Sequence, residues 1–532
     1  MTRFSGGGPN AQASARAHAI LLALFALLLF FFSHARGFSV APLADDVGVI
    51  RVAAQQALDF AVFGPALEKW HTPLVPGSTM WRPLPVLSFA LDALSHGDQV
   101  SLWRLTNVAL HLLCAILVGG VVRAFGFSLS AAAIAFGAFA LLPWAPEVSI
   151  WIVGRYDGFA TLLVLLALFC ALSSSGRDAR SLASLAAAAL AYASKESAAT
   201  AIALIASVLW LRDCHANTAW LTRPSAATIR LTVAHGVLLI AYLVWRQWLF
   251  QSTSLDLYAT GSSSRGVGAI VSSWLAHGLS ARDYLSIAPV ASTVASVMCV
   301  LLLLWALSRR AQRFGVSAGL IFAAIVAAAL AVVFPSPNIG SDGARIYHLM
   351  AVGFAIAIGA AAAAQSARLQ FAFAIGVLLA LAFWQRAAVE EWRIASNEMH
   401  RLQNEIPRLG NSLLAKDYAL VVAPDRIGRV PFARNANGAL LLAYSGDRER
   451  VSQMIISTDL GAWEWWKLSA DGVVRKHLTK REDAPAAPTQ FFCFNGSSLQ
   501  ALGFWQSATQ ADWNERWRDA LHRACPNLNY GR

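Results

Sequence analysis

Two adjacent aspartates, Asp45 and Asp46, follow the first apolar segment of the chain. Charged residues make up only 14% of the sequence, so paired carboxylates are the first place to look for chemistry. A carboxylate can remove a proton from an attacking hydroxyl as a general base. Carboxylate oxygens also suit Mg²⁺ or Mn²⁺. The pair predicts acid–base or metal chemistry, and the sequence leaves open which aspartate acts and whether a metal ion is required.

Four basic residues form a second group, because each falls at or near the outer end of a predicted helix: Arg82, Arg155, Lys195 and Arg345. Lysine and arginine normally concentrate in cytoplasmic loops. Taken singly, each cation is explained as an interfacial side chain or as the partner of a nearby carboxylate. Taken together, four outward cations and two aspartates predict a site that holds a phosphate while a carboxylate does acid or base work.

Other polar residues accompany these candidates. Glu147 and Asp157 lie on either side of Arg155 in the sequence. Asn107 and His111 are one helical turn apart in the second apolar segment, so they share a helix face. We predict that these four residues support the site.

The elements that carry these residues are apolar. Hydrophobic residues account for 57% of the chain and the mean hydropathy is +0.52, which predicts an all-α polytopic membrane protein. The net charge of +12 is explained by loop topology and lipid headgroups rather than by nucleic acid. Windows of roughly 20 residues predict about eleven transmembrane helices, near 17–36, 101–123, 129–146, 154–174, 181–195, 197–211, 231–250, 286–308, 315–334, 346–366 and 369–386.

The distribution of arginine and lysine predicts the orientation. Placing the N-terminus in the cytoplasm puts most loop cations on that side, and an odd number of spans then leaves the C-terminus outside. The Ala- and Arg-rich composition favours a bacterial inner membrane with a periplasmic tail. A cleaved signal peptide is the alternative interpretation of the first segment.

Two domains are predicted. Residues 1–386 form the transmembrane domain, whose long first outer loop, 37–100, contains two predicted interfacial helices at 47–63 and 80–94. Residues 387–532 form a small extracytoplasmic α/β domain, entered by a helix from Ala387 to about Leu409. Cys493 and Cys525 are its two cysteines, and an oxidising compartment predicts a disulfide between them.

The chain resembles the membrane-integral GT-C glycosyltransferases over about residues 40–350. The branch most similar to it contains the O-mannosyltransferases that in animals carry tetratricopeptide repeats, together with their bacterial relatives. The order and spacing of several short motifs carry this resemblance: Asp45 Asp46; Arg82 Pro83 Leu84; Asn107 with His111; Pro143 and Glu147; Trp151, Gly154, Arg155 and Asp157; Lys195 Glu196; and Arg345 with Tyr347.

The resemblance implies an inverting transfer of a sugar from a polyprenyl-phosphate carrier to a glycan, lipid or protein acceptor on the periplasmic or luminal face. By position, Asp45 or Asp46 is similar to the general base of such enzymes. Arg155 and Arg345 resemble the phosphate contacts, and Arg82 and Lys195 are further candidates for that role.

The chemistry suits these residue types. A lipid phosphate leaves as a stable anion, so the reaction needs charge stabilisation, which the planar arginine guanidinium supplies. Proton abstraction by a carboxylate contributes about 10²–10⁴-fold.

Two positions depart from the family pattern: Leu142 stands where relatives often have histidine, and Met350 where proline is expected. The tetratricopeptide repeats are absent, replaced by the Trp-rich tail, so the resemblance does not transfer an acceptor.

Three other functions fit part of the sequence. A transporter or flippase would place charges near helix ends, but would more often show internal repeats and broken helices. A polymerase or ligase of lipid-linked glycans would place its key residues in a large late outer loop, whereas the loop at 335–345 is short. A structural assembly factor would leave the aspartates and the outward cations unexplained.

Overall fold

A computed structural model describes residues 9–46, 49–50, 68–72, 74, 80–97, 99–216, 222–250, 289–333, 344–363, 367–412, 418–433, 454–458, 466–469, 472–475, 489–503, 510–526 and 528. The chain divides into two compact units. The first comprises Met1–Phe38, Phe63–Asp92 and Ser101–Val389, and the second comprises Ser39–Val62, Ala93–Val100 and Glu390–Arg532. Residues 39–46, which were predicted to belong with the apolar helices, therefore group with the tail. The boundary between residues 386 and 387 stays a prediction.

The first unit is built from helices. In chain order, the described α-helices that precede the sheet are α1 Pro9–His34, α2 Pro83–His96, α3 Val100–Ala124, α4 Leu129–Ala140, α5 Ala145–Ser149, α6 Arg155–Leu172, α7 Ala179–Tyr192, α8 Ala201–Ala216, α9 Ala226–Phe250, α10 Pro289–Ser308, α11 Arg310–Val333, α12 His348–Ala362 and α13 Ala367–Ser412. The residues of α13 from Glu390 onward belong to the second unit. Each of the predicted apolar spans overlaps at least one of these helices, and the predicted span 129–146 covers α4 and the first residues of α5.

Among the described residues, six stretches are long and apolar enough to cross a membrane: Ala13–Ser39, Val100–Ala124, Ile152–Leu172, Glu196–Cys214, Ala226–Phe250 and Leu369–Leu409. Shorter apolar helices accompany them, among them α4 and α12. The protein is therefore an integral membrane protein with a mostly helical fold. The number of crossings, eleven, stays a prediction.

Small residues bring the helices of the first unit close together. Gly319 on α11 faces Gly353 on α12, and a Cβ added to either glycine would lie 2.4 Å from the carbonyl oxygen of the other. Lipid tails are as apolar as the helix surfaces, so the hydrophobic effect does not drive helices together inside a membrane. Close backbone approach through small residues is therefore a main source of packing energy. This crossing fixes the body of α12, whose N-terminal end belongs to the site described below.

The second unit contains a four-stranded sheet. Its strands, with those of two small ladders, are β1 Tyr418–Ala423, β2 Arg426–Ile427, β3 Val430–Pro431, β4 Met454–Thr458, β5 Trp466–Ser469, β6 Gly472–Arg475, β7 Thr489–Phe494 and β8 Leu499–Gly503. The sheet has the order β4-β1-β7-β8, in which β1 is parallel to β4 and β7, and β8 is antiparallel to β7. The helix α14, Gln510–Ala524, follows the sheet.

The predicted disulfide is confirmed, since Cys493 on β7 is bonded to Cys525 directly after α14. The parallel strands give the tail an α/β arrangement. Its extracytoplasmic location stays a prediction.

The helix α13 differs from expectation because it is continuous over 46 residues. The sequence predicted a span over 369–386 and a separate helix from Ala387 to about Leu409. Between them stands Arg386-Ala387-Ala388-Val389-Glu390, which contains no glycine or proline to end a helix. The two predicted elements are therefore one.

The predicted helix over 80–94 is present as α2. The other predicted interfacial helix, over 47–63, lies almost entirely outside the described residues.

Candidate functional site

The segment between α4 and α6 is the scaffold of the site. It carries Glu147 on the short helix α5 and ends at Gly154, immediately before Arg155. A Cβ on Gly154 would lie 2.3 Å from the carbonyl oxygen of Glu147, so this close backbone approach requires glycine. From α3, the Asn107 side-chain amide donates to the carbonyl oxygens of Val148 and Trp151, at 3.1 and 2.9 Å. Asn107 therefore holds the segment in place, as a supporting residue should.

Arg155 is fully buried, and its contacts account for all five N–H groups of its guanidinium. Its Nη2 donates to Asp92 Oδ2 at 2.5 Å and to the Trp103 carbonyl at 2.9 Å. Its Nε donates to Asn107 Oδ1 at 2.7 Å, and its Nη1 lies 3.3 Å from the carbonyl and hydroxyl oxygens of Ser88. These contacts favour Arg155 as a residue that joins α2, α3 and α6, rather than as a phosphate contact.

Six other charged side chains form what we call the charged cluster: Arg82, Glu147, Asp157, Lys195, Glu196 and Arg345. Lys195 Nζ lies 2.5 Å from Asp157 Oδ1, and Arg82 Nη2 lies 3.0 Å from Glu196 Oε2. Arg345 lies 3.5 Å from Asp157 and 3.6 Å from Glu147. The cluster therefore unites three of the four predicted cations with both predicted supporting carboxylates.

Aromatic rings form part of the cluster. The Arg345 guanidinium carbon lies 4.3 Å from the centroid of the Trp151 ring, and that of Arg82 lies 4.9 Å from the centroid of Tyr156. A cation over an aromatic face is attracted by the ring quadrupole. The rings orient both guanidinium groups without neutralising their charge.

Lys195 lies in the turn after α7, outside the helices long enough to cross a membrane. Burial lowers its pKa to about 8, Asp157 opposes that shift, and the neighbouring charges of Arg345 and Arg82 lower the pKa further. An ammonium with this pKa is mostly protonated at neutral pH and loses its charge in mild alkali.

Asp92 and Arg246 were not among the predicted site residues. Asp92, the buried partner of Arg155, lies on α2 and looks like an ordinary residue of an interfacial helix. Arg246 is fully buried on α9, where its guanidinium carbon lies 5.1 Å from the centroid of Phe250. An arginine within an apolar span is a functional signal by itself, and this one was available in the sequence.

His111 has a structural environment. It is fully buried, and its ring nitrogens lie 3.0 Å from His348 Nε2 and 3.1 Å from the Ala140 carbonyl. Asn107 and His111 do share one face of α3 as predicted. Asn107 contacts the scaffold segment, whereas His111 contacts the first residue of α12.

Asp45 and Asp46 belong to the second unit, whereas the charged cluster belongs to the first. Their segment is anchored there by two hydrogen bonds, from the Ala41 amide to Ser396 Oγ at 2.7 Å and from the Ala44 amide to the Phe432 carbonyl at 3.0 Å. Ala44 has a φ of 48°, a left-handed conformation that is uncommon for a residue other than glycine. The Asp45 side chain is half-buried and that of Asp46 is buried. Their role as base or metal ligands stays a prediction.

Among the described residues, no group of three or more His, Cys, Asp or Glu side chains could hold a metal ion. A metal site formed by the two carboxylates of Asp45 and Asp46 stays a prediction.

No family model matches the chain. A stretch of 100 residues is 38% identical to Protein O-mannosyl-transferase Tmtc1 of Drosophila melanogaster, which covers 18% of this chain and 12% of that protein. The fold is also similar to two crystal structures of ArnT from Cupriavidus metallidurans. The structure bound to undecaprenyl phosphate has a TM-score of 0.42 and 13% identity, and covers 89% of this chain and 92% of that one. The apo structure has a TM-score of 0.43 and 12% identity, and covers 90% and 93%.

Proposed function

We propose that the protein is a membrane-integral glycosyltransferase that moves a sugar from a polyprenyl-phosphate carrier to an acceptor hydroxyl on the periplasmic face. The observation that carries the proposal is the charged cluster, in which three cations at helix ends share three carboxylates. The identity to an O-mannosyl-transferase supports the same class of reaction over a short part of the chain.

Arg345 is the strongest candidate for binding the departing phosphate. It is held at 3.5 and 3.6 Å by two carboxylates, whereas charge-assisted hydrogen bonds are typically about 2.7–2.9 Å long. Its side chain is 16% exposed, in contrast to the fully buried Arg155. A phosphate oxygen could therefore offer Arg345 a shorter contact than either of these carboxylates does. Lys195 and Arg82 belong to the same cluster, but each is paired with a carboxylate, Lys195 with Asp157 at 2.5 Å and Arg82 with Glu196 at 3.0 Å, so they act on the phosphate at longer range.

Asp45 is the better candidate for the general base. Its half-buried carboxylate keeps access to an incoming hydroxyl, whereas Asp46 is only 1% exposed. The Asp45 carbonyl accepts from the Val49 amide at 3.1 Å, so Asp45 stands at the first turn of a helix and its main chain is fixed.

The reaction follows from these assignments. Asp45 takes the proton of the acceptor hydroxyl, and the oxygen attacks the anomeric carbon on the face opposite the phosphate. A new carbon–oxygen bond forms as the bond from the anomeric carbon to the phosphate oxygen breaks. The electron pair leaves with the phosphate, and a cation bound to the phosphate stabilises the charge that develops on it. One displacement inverts the configuration at the anomeric carbon.

The proposal is tested by measuring transfer from a panel of polyprenyl-phosphate sugars with purified wild type, Asp45→Asn and Asp46→Asn. We expect Asp45→Asn to lose about 10²–10⁴-fold in kcat, because it removes proton abstraction. Asp178→Asn is the matched control, since Asp178 is the N-cap of α7 in the first unit, whereas Asp45 and Asp46 belong to the second unit. Full activity of both first-loop variants would eliminate the base assignment. Assays with EDTA distinguish the two possible roles of the aspartate pair. Transfer activity that needs only a carboxylate base persists in EDTA, whereas activity that needs a metal ion bound by the pair is lost.

A further inference from the structure

A buried chain of hydrogen bonds lies next to Arg345. Arg345 belongs to the single 3-10 turn Ala344–Tyr347, which leads directly into α12 at His348. His348 is 1% exposed. Its Nδ1 lies 3.0 Å from Thr161 Oγ1 on α6, and its Nε2 lies 3.0 Å from His111 Nδ1 on α3.

The contacts of this chain fit one set of tautomers. His111 Nε2 faces the Ala140 carbonyl, which can only accept, so Nε2 carries the proton and Nδ1 is an acceptor. His348 must then donate from Nε2 to His111, which leaves its Nδ1 to accept from the Thr161 hydroxyl. Each nitrogen of both neutral rings has a partner of the right kind. Such a fully satisfied buried network is rigid.

The geometry couples this chain to Arg345. Asp157 and Thr161 are one turn apart on α6, so they share a helix face. Arg345 is three residues before His348. The same two segments therefore meet twice, through Arg345 with Asp157 at 3.5 Å and through His348 with Thr161 at 3.0 Å. The contact of His348 with Thr161 therefore fixes the position of Arg345 relative to Asp157.

We propose that His348 is a positioning residue that places the Arg345 guanidinium for the lipid phosphate, with Thr161 and His111 as its anchors. The proposal rests on the proposed function. It assigns a task to a buried histidine that touches neither substrate nor reacting atoms. Packing alone is the competing explanation, and it predicts a loss of stability without a specific loss of donor binding.

The main test replaces Thr161 with valine, which keeps the branched shape and deletes the hydroxyl, and with serine, which keeps the hydroxyl. We expect Thr161→Val to raise the donor KM about tenfold and to lower kcat as well, because a cation displaced from the departing phosphate is lost to both the bound donor and the transition state. Thr161→Ser should restore a KM close to that of the wild type. His348→Asn, which removes the ring and shortens its reach, should raise KM at least as much, provided that it folds.

Ser184→Ala is the matched control. Ser184 Oγ lies 3.0 Å from His235 Nε2, another buried hydroxyl–imidazole contact, between α7 and α9. The control should lose a similar amount of thermal stability and keep the donor KM. An equal rise of KM in Ser184→Ala, or an unchanged KM in Thr161→Val, would overturn the proposal.

A double-mutant cycle links the effect to Arg345. Thr161→Val combined with Arg345→Lys should raise KM by much less than the product of the two single effects, because both disturb one contact. Multiplicative effects would count against the positioning role. A different result would contradict the proposed function itself: wild-type protein that transfers no sugar from any donor and does not bind a polyprenyl phosphate in a direct binding assay.

Discussion

The predicted cations differ in how firmly their neighbours hold them. Arg155 is enclosed by Asp92, Asn107 and backbone carbonyls at hydrogen-bonding distances. Arg345 is more loosely held, by longer contacts to Glu147 and Asp157. The first arrangement suits a residue that stabilises the fold, and the second suits one that exchanges partners when an anion arrives.

Replacing Arg155 should unfold the first unit rather than weaken donor binding selectively. Arg155→Met leaves Asp92 buried without its cation, and breaking a buried pair in this way costs about 3–5 kcal/mol. Thermal unfolding in detergent measures the effect. Arg401→Met is the control, because Arg401 forms an i,i+3 pair with Glu398 and is 55% exposed, and such surface pairs contribute about 0–1 kcal/mol. Equal stability of the two variants would contradict the role given to Arg155.

Donor binding should weaken as the pH rises through about 8. Burial, the largest cause, lowers the pKa of Lys195 to about 8, so its ammonium charge is lost there. In the unfolded chain, Lys195 keeps its proton up to its ordinary pKa. Between the folded-state and unfolded-state pKa values, the unfolded chain therefore binds more protons than the folded chain, and the free energy of unfolding does not fall as the pH rises. The donor KM should therefore rise from pH 7 to 9 while the folded protein persists.

Lys195→Arg is the variant that isolates this titration, because a guanidinium stays charged in this range. Its donor KM should be flat from pH 7 to 9, whatever its absolute value. A wild-type profile that is also flat would mean that the Lys195 charge does not contribute to binding.

Among the elements, the segment between α4 and α6 organises the site. It brings Glu147 to the cluster, places Trp151 under Arg345, and ends where Arg155 begins α6. Its shape depends on the contact of Gly154 with the Glu147 carbonyl and on the Asn107 amide.

Gly154→Ala should destabilise the protein by about 1–3 kcal/mol, the usual range for forcing an atom into a filled space. The backbone atoms it meets belong to Glu147 and Val148, so donor binding should suffer too. Gly158→Ala, one turn later on α6, meets only ordinary contacts at 3.4 and 3.9 Å and should be neutral or slightly stabilising. Thermal unfolding and donor KM of both variants give the comparison.

Sequence patterns predicted the local elements well and the pairing of charges less well. Apolar windows of bilayer length found α3 and α9, because hydropathy is a property of a continuous segment. The partner of Arg155 could not be found in this way, since Asp92 is 63 positions away and only the fold brings the two together. The same holds for the chain from Thr161 to His111, and for the grouping of Asp45 with the tail. Arg246 was missed although its place in an apolar segment was a usable signal.

At the scale of the whole molecule, two units of different composition are combined in one chain. The first is an assembly of apolar helices, and the second carries a mixed sheet and a disulfide. The four other cysteines lie on helices of the first unit and are buried or half-buried. Cys493 and Cys525 therefore report on the compartment of the tail.

Thiol labelling tests that compartment. In sealed, oxidised membranes, Cys493 and Cys525 should react with a membrane-impermeant maleimide only after reduction, and from the periplasmic side. Cys493→Ser with Cys525→Ser should lower the stability of the second unit by about 2–5 kcal/mol. Limited proteolysis measures that loss of stability. Free thiols at both positions in native membranes would place the tail in the cytoplasm and reverse the predicted orientation.

The charged cluster also constrains how the protein is made. Arg82 and Glu196 are 114 positions apart, and Lys195 follows Asp157 by 38. At about 5–20 residues per second, a ribosome makes Glu196 on the order of 10 s after Arg82. During that interval the nascent chain has to keep Arg82 hydrated at the membrane surface, before its partner exists. The order of synthesis thus gives insertion machinery and quality-control proteases a chemical difference by which an incomplete chain is distinguished from a finished one.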